Sequence, residues 1–416
     1  MDVELVSIGD ELLLGFTVDT NTAHFARAAA DHGIQVVRRS TVGDDAVTIT
    51  DVVRDALART GAVITSGGLG PTADDLTKPT LAALFGRGMR FDDAIWESLR
   101  ARWKARGFPG EIPETNREQA MVPEGATVLP NAHGSAPGIW LEDPEGRWVA
   151  MLPGVPREFL GMMRDTLLPR LAARGAGGTV IRSLTLRTQG IAESALAEML
   201  GELAKEPQGV PLAFMPGYEG VDLRLTVRGL GPALADERLA AAAEALRVRV
   251  GKWVYGEGDA DLATLVLDQL RARGMRIAEA ESCTGGMLGM RLTAIPGSSD
   301  RFVGGVIAYD NAVKVRELGV RDATLEAVGA VSEEVAREMA SGVRARFGVE
   351  VGVSITGVAG PGGGTPEKPV GTFCLAVDVQ GEVRSLRSAG VGDRHEVRQR
   401  ASQAALSLVR RVLARE

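Results

Sequence analysis

A chain of 416 residues is too long for one small module and, at about 150 residues per domain, implies two to three domains. Its 45% hydrophobic and 24% charged residues have the balance of a globular protein, and 52 glycines with only 4% aromatics imply many close backbone approaches. The net charge of −7 argues against nucleic acid as the main partner, because neutralising phosphates takes clustered Lys and Arg.

The N-terminal MDVELVSIGDEL is acidic rather than a basic leader, and no apolar run reaches spanning length, so neither export nor a membrane is expected. Two cysteines, Cys283 and Cys374, cannot build a disulfide framework or a multi-Cys zinc site, which fits a reducing cytoplasm. The first third alternates VELVSIG, a helical TNTAHFARAAADHG, IQVVRRSTVGD, a helical TDVVRDALARTG and the run AVITSGG. That order predicts a doubly wound, mostly parallel α/β domain over 1–175, ending in a hairpin at Pro144 to Gly146 and a helix from Pro156. A Gly-rich linker at 173–178 leads to a small α+β domain, 176–256, in which Tyr218 and Asp222 read as turn and strand-end residues. Alternating strands and helices then predict an α/β/α layered domain over 257–416.

In an open α/β sheet, ligands bind outside the carboxyl ends of the strands. In the first domain those ends carry Gly9-Asp10-Glu11, Gly43-Asp44-Asp45, the segment SGGLGPTADD and Leu152-Pro153-Gly154. Gly67, Gly68 and Gly70 let the backbone approach a ligand. Thr72 is the expected N-cap of the helix that follows, whose positive end suits a phosphate. The clustered acids, with Glu11, Asp44, Asp74 and Asp75 as the ligand set, predict a hard divalent cation such as magnesium or manganese; Lys78 is a further candidate contact to substrate.

GDELL, VGDD, GGLGPTADDLTK and LPGVPREF resemble the N-terminal domain of the CinA (competence/damage-inducible) family, which is similar to molybdopterin-binding proteins of the MogA and gephyrin kind. In those relatives GG-x-G is followed by an Arg-Asp pair; Asp75 holds the place of the aspartate and Asp74 that of the arginine. The resemblance implies metal-dependent hydrolysis of ADP-ribose to AMP and ribose 5-phosphate, with Asp75 catalytic, or else a non-catalytic pterin-, nucleotide- or partner-binding module.

In the last domain the strand RIAEAES runs into Ser282-Cys283-Thr284-Gly285-Gly286, a strand-to-helix turn that exposes a nucleophile beside backbone N–H groups. Ser282 and Cys283 are both candidates, Cys283 through a lowered pKa at a helix start. The apolar strand before Tyr309 is followed closely by Lys314. Of 47 basic residues only six are lysines, so one at this point favours a base that can lose its proton, as arginine cannot. Thr356 and Gly357 open a Gly-Pro-rich loop suited to a phosphate or ribose, and Arg394 and Arg398 lie one helical turn apart.

AESCTGG, GSS, YDNAVK, ITGVAGPGGG and GDRHEVRQRA together resemble the C-terminal CinA domain, a nicotinamide mononucleotide deamidase. The resemblance implies Ser282 as nucleophile, Lys314 as general base, Tyr309 and Ser299 assisting, and Thr356 with one of the arginines holding the nucleotide. Thr284 and Gly285 follow the nucleophile where substrate is held. It also implies no cofactor for deamidation, and a homodimer.

Overall fold

The computed structural model describes residues 1–175 and 178–415, so part of the expected linker, residues 176 and 177, lies outside the described residues. Its contacts group into two compact units, 1–182 with 227–238, and 183–226 with 239 onward.

The first unit holds a six-stranded sheet in the order Gln35–Val42, Asp2–Ile8, Ala62–Ser66, Trp148–Leu152, Gly138–Glu142, Thr127–Leu129. The first four strands pair in parallel; Gly138–Glu142 pairs antiparallel both with Trp148–Leu152, through the expected hairpin, and with Thr127–Leu129. Alternation along Asp2–Ile8 sends Val3 and Leu5 into a core with Phe25 and Phe159, and Val6 and Ile8 into a core with Ile49 and Val53. Helices therefore cover both faces, as the doubly wound pattern requires. Within the stretch between the strands, Asp93–Ala105 forms an additional helix capped by Asp92, whose carboxylate accepts from Ile95 N–H.

A four-stranded sheet, ordered Leu212–Pro216, Val221–Leu230, Val180–Thr188, Val254–Glu257, forms the middle of the chain together with the helix Pro232–Val250. The last sheet runs Phe302–Ile307, Ile277–Glu281, Val351–Gly357, Thr372–Val379, Glu382–Ala389. Its first three strands are parallel with Glu281 beside both Ile307 and Ile355, so their carboxyl ends lie together. Helices Leu262–Arg273 and Arg394–Ala414 supply side chains to a core on one face, and Glu333–Phe347 to a core on the other. The architecture is mixed α/β throughout. Among the described residues no helix is long and apolar enough to cross a membrane.

Candidate functional site

The carboxyl ends of the N-terminal strands surround a cavity of about 450 Å³ lined by Glu11, Asp44, Asp74 and Asp75, by Gly67, Gly68 and Gly70, and by Asn21. Gly67 has φ +115°, and a Cβ there would stand 2.1 Å from the Ile8 carbonyl oxygen, so only glycine lets this loop cross the neighbouring strand. Asp10 and Asp44 brace each other: Asp10 N–H donates to Asp44 Oδ2 at 3.0 Å and Asp44 N–H to Asp10 Oδ1 at 3.3 Å. Asp45 is a helix cap that accepts from Thr48 N–H and hydroxyl.

Two N-terminal expectations, the cap at Thr72 and the reach of Lys78, are corrected, and Asp75 has a bracing role besides. The helix begins at Thr77, not after Thr72, because Asp75 draws the segment into a side-chain-closed turn. Asp75 Oδ1 accepts from Gly70 N–H at 2.6 Å, and its Oδ2 from Thr72 N–H and hydroxyl at 2.9 and 2.6 Å. Both carboxylate oxygens thus brace the loop while Asp75 still lines the cavity. Lys78 is buried, and its Nζ donates to the carbonyls of Glu118 and Gln119 at 2.6 and 3.2 Å instead of reaching for a phosphate. That burial pulls its pKa down to about 8, against the opposing charges of Glu118 and Asp75.

The remaining acids suit a hard cation in chemistry: all their donors are oxygens. Asp44 sits above the usual carboxylate range through burial and the negative charges of Asp10, Glu11 and Asp74, a crowding that a divalent cation relieves. As the side chains stand, no three acidic, His or Cys groups among the described residues form a metal-holding set. Glu11, Asp44 and Asp74 face the cavity and would have to close on a cation.

In the C-terminal sheet the adjacent strand ends bring the separate motifs together. Ser282 N–H donates to the Ile355 carbonyl at 2.9 Å and Ala308 N–H to the Glu281 carbonyl at 2.7 Å, which ties the Ser282 turn between its two neighbours. Gly285 N–H closes that turn onto the Ser282 carbonyl at 3.1 Å. The N–H groups of Cys283 and Thr284 donate to no backbone carbonyl among the described residues outside regular helices and strands, whereas that of Gly285 is spent on the turn.

Lys314 lies on the helix Asn311–Leu318, which Asp310 caps by accepting from Ala312 N–H at 2.7 Å. Its side chain is 1% exposed, and its Nζ donates to the carbonyls of Ala308 and Tyr309 at 2.8 and 3.2 Å. Burial holds its pKa below the ordinary lysine value, although Asp310 and Cys283 pull the other way. Cys283 is buried, and that burial, with the charge of Glu281 adding to it, pushes its thiol up to about 12. A thiolate is therefore disfavoured at Cys283, although Ser282 is almost as buried, at 8% against 6% exposure.

Both arginines reach this place. Arg398 donates to the Thr284 carbonyl through Nε and Nη2 at 3.2 and 2.6 Å. Arg394 donates to the Gly360 carbonyl at 2.6 Å and to the Tyr309 hydroxyl at 2.7 Å, linking the Gly-Pro loop to the exposed tyrosine. Their helix is fixed by a capping box between Asp393 and Glu396.

Two other assignments do not converge. Thr356 is 1% exposed and its hydroxyl donates to the Ala330 carbonyl at 2.8 Å, so it braces the sheet. Ser299 is exposed in the turn Ser298–Asp300 before Phe302–Ile307, whereas Ser282 follows the other end of the parallel strand beside it. Within one chain, Ser299 and Ser282 are at opposite ends of that strand pair. Gly357 fits its place by size: a Cβ would stand 2.8 Å from Phe373 Cβ and 3.0 Å from Cys283 Sγ.

Sequence reading missed the contacts of Glu219, in the hairpin tip Gly217-Tyr218-Glu219-Gly220 that also holds Tyr218. It accepts from Arg187 at 2.5 Å and Arg291 at 3.4 Å, and Arg291 also donates to Gln403 and Asp261. Asp222 pairs with Arg187 at 2.8 Å.

Comparison with known proteins matches residues 4–173 to a probable molybdopterin binding domain, 183–256 to a damage-inducible protein CinA KH domain and 259–413 to a CinA C-terminal domain. A CinA-like protein of Gemmatimonas aurantiaca is 61% identical over 417 residues, covering 100% of this chain and 97% of the relative. One of Chlorobaculum tepidum is 43% identical, covering 98% and 97%. Among solved structures, a CinA superfamily protein from Klebsiella pneumoniae is 35% identical, covers 37% of this chain and 97% of its own, and gives a TM-score of 0.36. The molybdopterin biosynthesis enzyme MoaB of Thermus thermophilus is 20% identical over 42% of this chain and 96% of its own, with a TM-score of 0.28.

Proposed function

The chain belongs to the CinA-like protein family, and on that premise we propose that it is a pyridine-nucleotide hydrolase whose C-terminal unit deamidates nicotinamide mononucleotide to nicotinic acid mononucleotide. The observation that carries this is Lys314: a desolvated amine fixed on the carbonyls of Ala308 and Tyr309, at the strand end beside the Ser282 turn. Neutral Lys314 takes the Ser282 hydroxyl proton as Oγ attacks the carboxamide carbon, and the N–H groups of Cys283 and Thr284 receive the oxyanion. The proton passes to the leaving nitrogen, ammonia departs, and water hydrolyses the acyl ester. Arg394 and Tyr309 stand at the exposed mouth, where a nucleotide phosphate has a cation to meet. Ammonia release from the mononucleotide is the test: the wild type should produce it with EDTA present, and Ser282→Ala should not. Ammonia release at the wild-type rate by Ser282→Ala would overturn the assignment.

A second activity is favoured by the acid-lined N-terminal cavity. Glu11, Asp44 and Asp74 would hold a divalent cation, which when bound would neutralise charge on a diphosphate. The glycine loop, braced by Asp75, would carry the ADP-ribose diphosphate, and cleavage would yield AMP and ribose 5-phosphate. Residues of this unit would then act only with added metal, and EDTA should abolish hydrolysis of ADP-ribose while sparing deamidation. Absence of ADP-ribose hydrolysis at any metal concentration would leave this unit a binding module.

A further inference from the structure

Two carboxyl groups that no step above uses lie beneath the Ser282 turn. Glu279 and Glu281 are 5% and 0% exposed and two residues apart on Ile277–Glu281, so they leave the same face of the strand. That face meets the start of the helix Met287–Thr293, where Gly289 N–H donates to Glu281 Oε1 at 3.0 Å. Glycines close the space around Glu279: a Cβ at Gly289 would stand 2.6 Å from its Oε1, and one at Gly305 2.3 Å from its Cγ. The side chains lie within hydrogen-bonding reach of each other, and the Oε2 atom of each is buried with no donor from any other group. Two buried acids so placed cannot both be ionised; one shared proton satisfies both orphaned oxygens.

We propose that Glu279 is a proton-bearing positioning residue: its carboxyl donates to Glu281, and ionised Glu281 holds the first turn of the helix Met287–Thr293 and with it the Ser282–Gly286 turn. Burial, together with the hydrogen bond to Glu281 and its charge, pushes Glu279 up to about 10. Burial also acts to raise Glu281, but its neighbours Glu279 and Thr284 and the backbone N–H groups of Gly289 and Leu288 hold it below the ordinary value. The roles are unequal: position 279 needs a neutral donor, and position 281 needs a negative acceptor facing helix N–H groups. This deepens the assignment of Ser282 as nucleophile and rests on it where activity is read.

The experiment compares the full-length wild type with Glu279→Leu, Glu279→Gln and Glu281→Gln. Glu279→Leu and Glu281→Gln should each lower kcat for deamidation by about 100-fold with little change in KM, the scale of a misplaced reacting group. Glu279→Gln, which supplies an N–H donor of the same length, should recover most of that loss. Two measurements do not need turnover. Infrared difference spectra at neutral pH should contain a protonated-carboxyl C=O band that Glu279→Gln removes, and hydrogen exchange across residues 282–289 should quicken in Glu281→Gln. Equal losses in the two Gln variants, or no protonated-carboxyl band in the wild type, would overturn the proposal. If Glu281→Gln does not fold, the infrared comparison of the wild type with Glu279→Gln decides. A wild type that shows the band and the exchange pattern without releasing ammonia would refute the deamidase assignment and leave the acid pair standing.

Discussion

Lys314 is the residue at which catalysis and stability separate most cleanly. Lys314→Arg keeps a cation over the two carbonyls but introduces a group that does not lose its proton, so the base is gone while the charge remains. Loss of a general base costs about 10²–10⁴ in rate, roughly 3–5 kcal/mol in the barrier. Lys314→Met removes the amine altogether and leaves the carbonyls of Ala308 and Tyr309 without their donor. Each unsatisfied buried acceptor costs about 1–3 kcal/mol, offset by no longer burying an ammonium, so a net loss of roughly 1–3 kcal/mol is expected. The assays are single-turnover ammonia release across pH and thermal unfolding of the same samples. Because the folded-state pKa lies below the ordinary lysine value, activity should rise with pH along a limb that ends below 10.5, and that limb should vanish in both variants. Lys314→Arg within threefold of wild-type kcat at any pH would refute the reasoning.

Three further outcomes follow from other contacts. The folded pKa of Lys78, about 8, lies below its unfolded 10.5, so burying the ammonium costs about 3 kcal/mol below pH 8, relieved as pH rises to 10.5. The unfolding free energy of the wild type should therefore gain on that of Lys78→Met across this window; a pH-independent difference would contradict it. Asp75→Ala removes three hydrogen bonds from the glycine loop and should destabilise the N-terminal unit by about 2–3 kcal/mol, with ADP-ribose hydrolysis lost and deamidation intact. Arg398→Gln frees the Thr284 carbonyl and should lower deamidase kcat about tenfold or more while KM changes little; an effect confined to KM would make Arg398 a substrate contact.

The layered fold was legible because strand and helix periods alternate cleanly around Val3, Leu5, Val6 and Ile8. The helix Asp93–Ala105 was legible in principle, since Asp92 is a good cap and Ile95 and Leu99 share a face, but its dense charge masks that stripe. That Ser282 and the Tyr309–Lys314 segment follow adjacent strand ends could be read by placing each motif after a parallel strand. What could not be read was how side chains are used by distant backbone. Carbonyls of Glu118 and Gln119 claim Lys78, and the carbonyl of Ala330 claims Thr356, and such partners leave no pattern in the sequence. The bracing role of Asp75 was missed for a local reason: an aspartate three residues after Thr72 closes a turn as readily as it binds a metal. Ser299 sits before its strand rather than after it, and the motif GSS does not reveal which end of the sheet it occupies.

The most direct measurement is to quench the wild type during turnover of nicotinamide mononucleotide and map the covalent acyl adduct by mass spectrometry. A nicotinic acid mononucleotide ester on Ser282, absent in Ser282→Ala and unchanged in Cys283→Ala, is the predicted result. An adduct on Cys283, or steady turnover by Ser282→Ala, would contradict it.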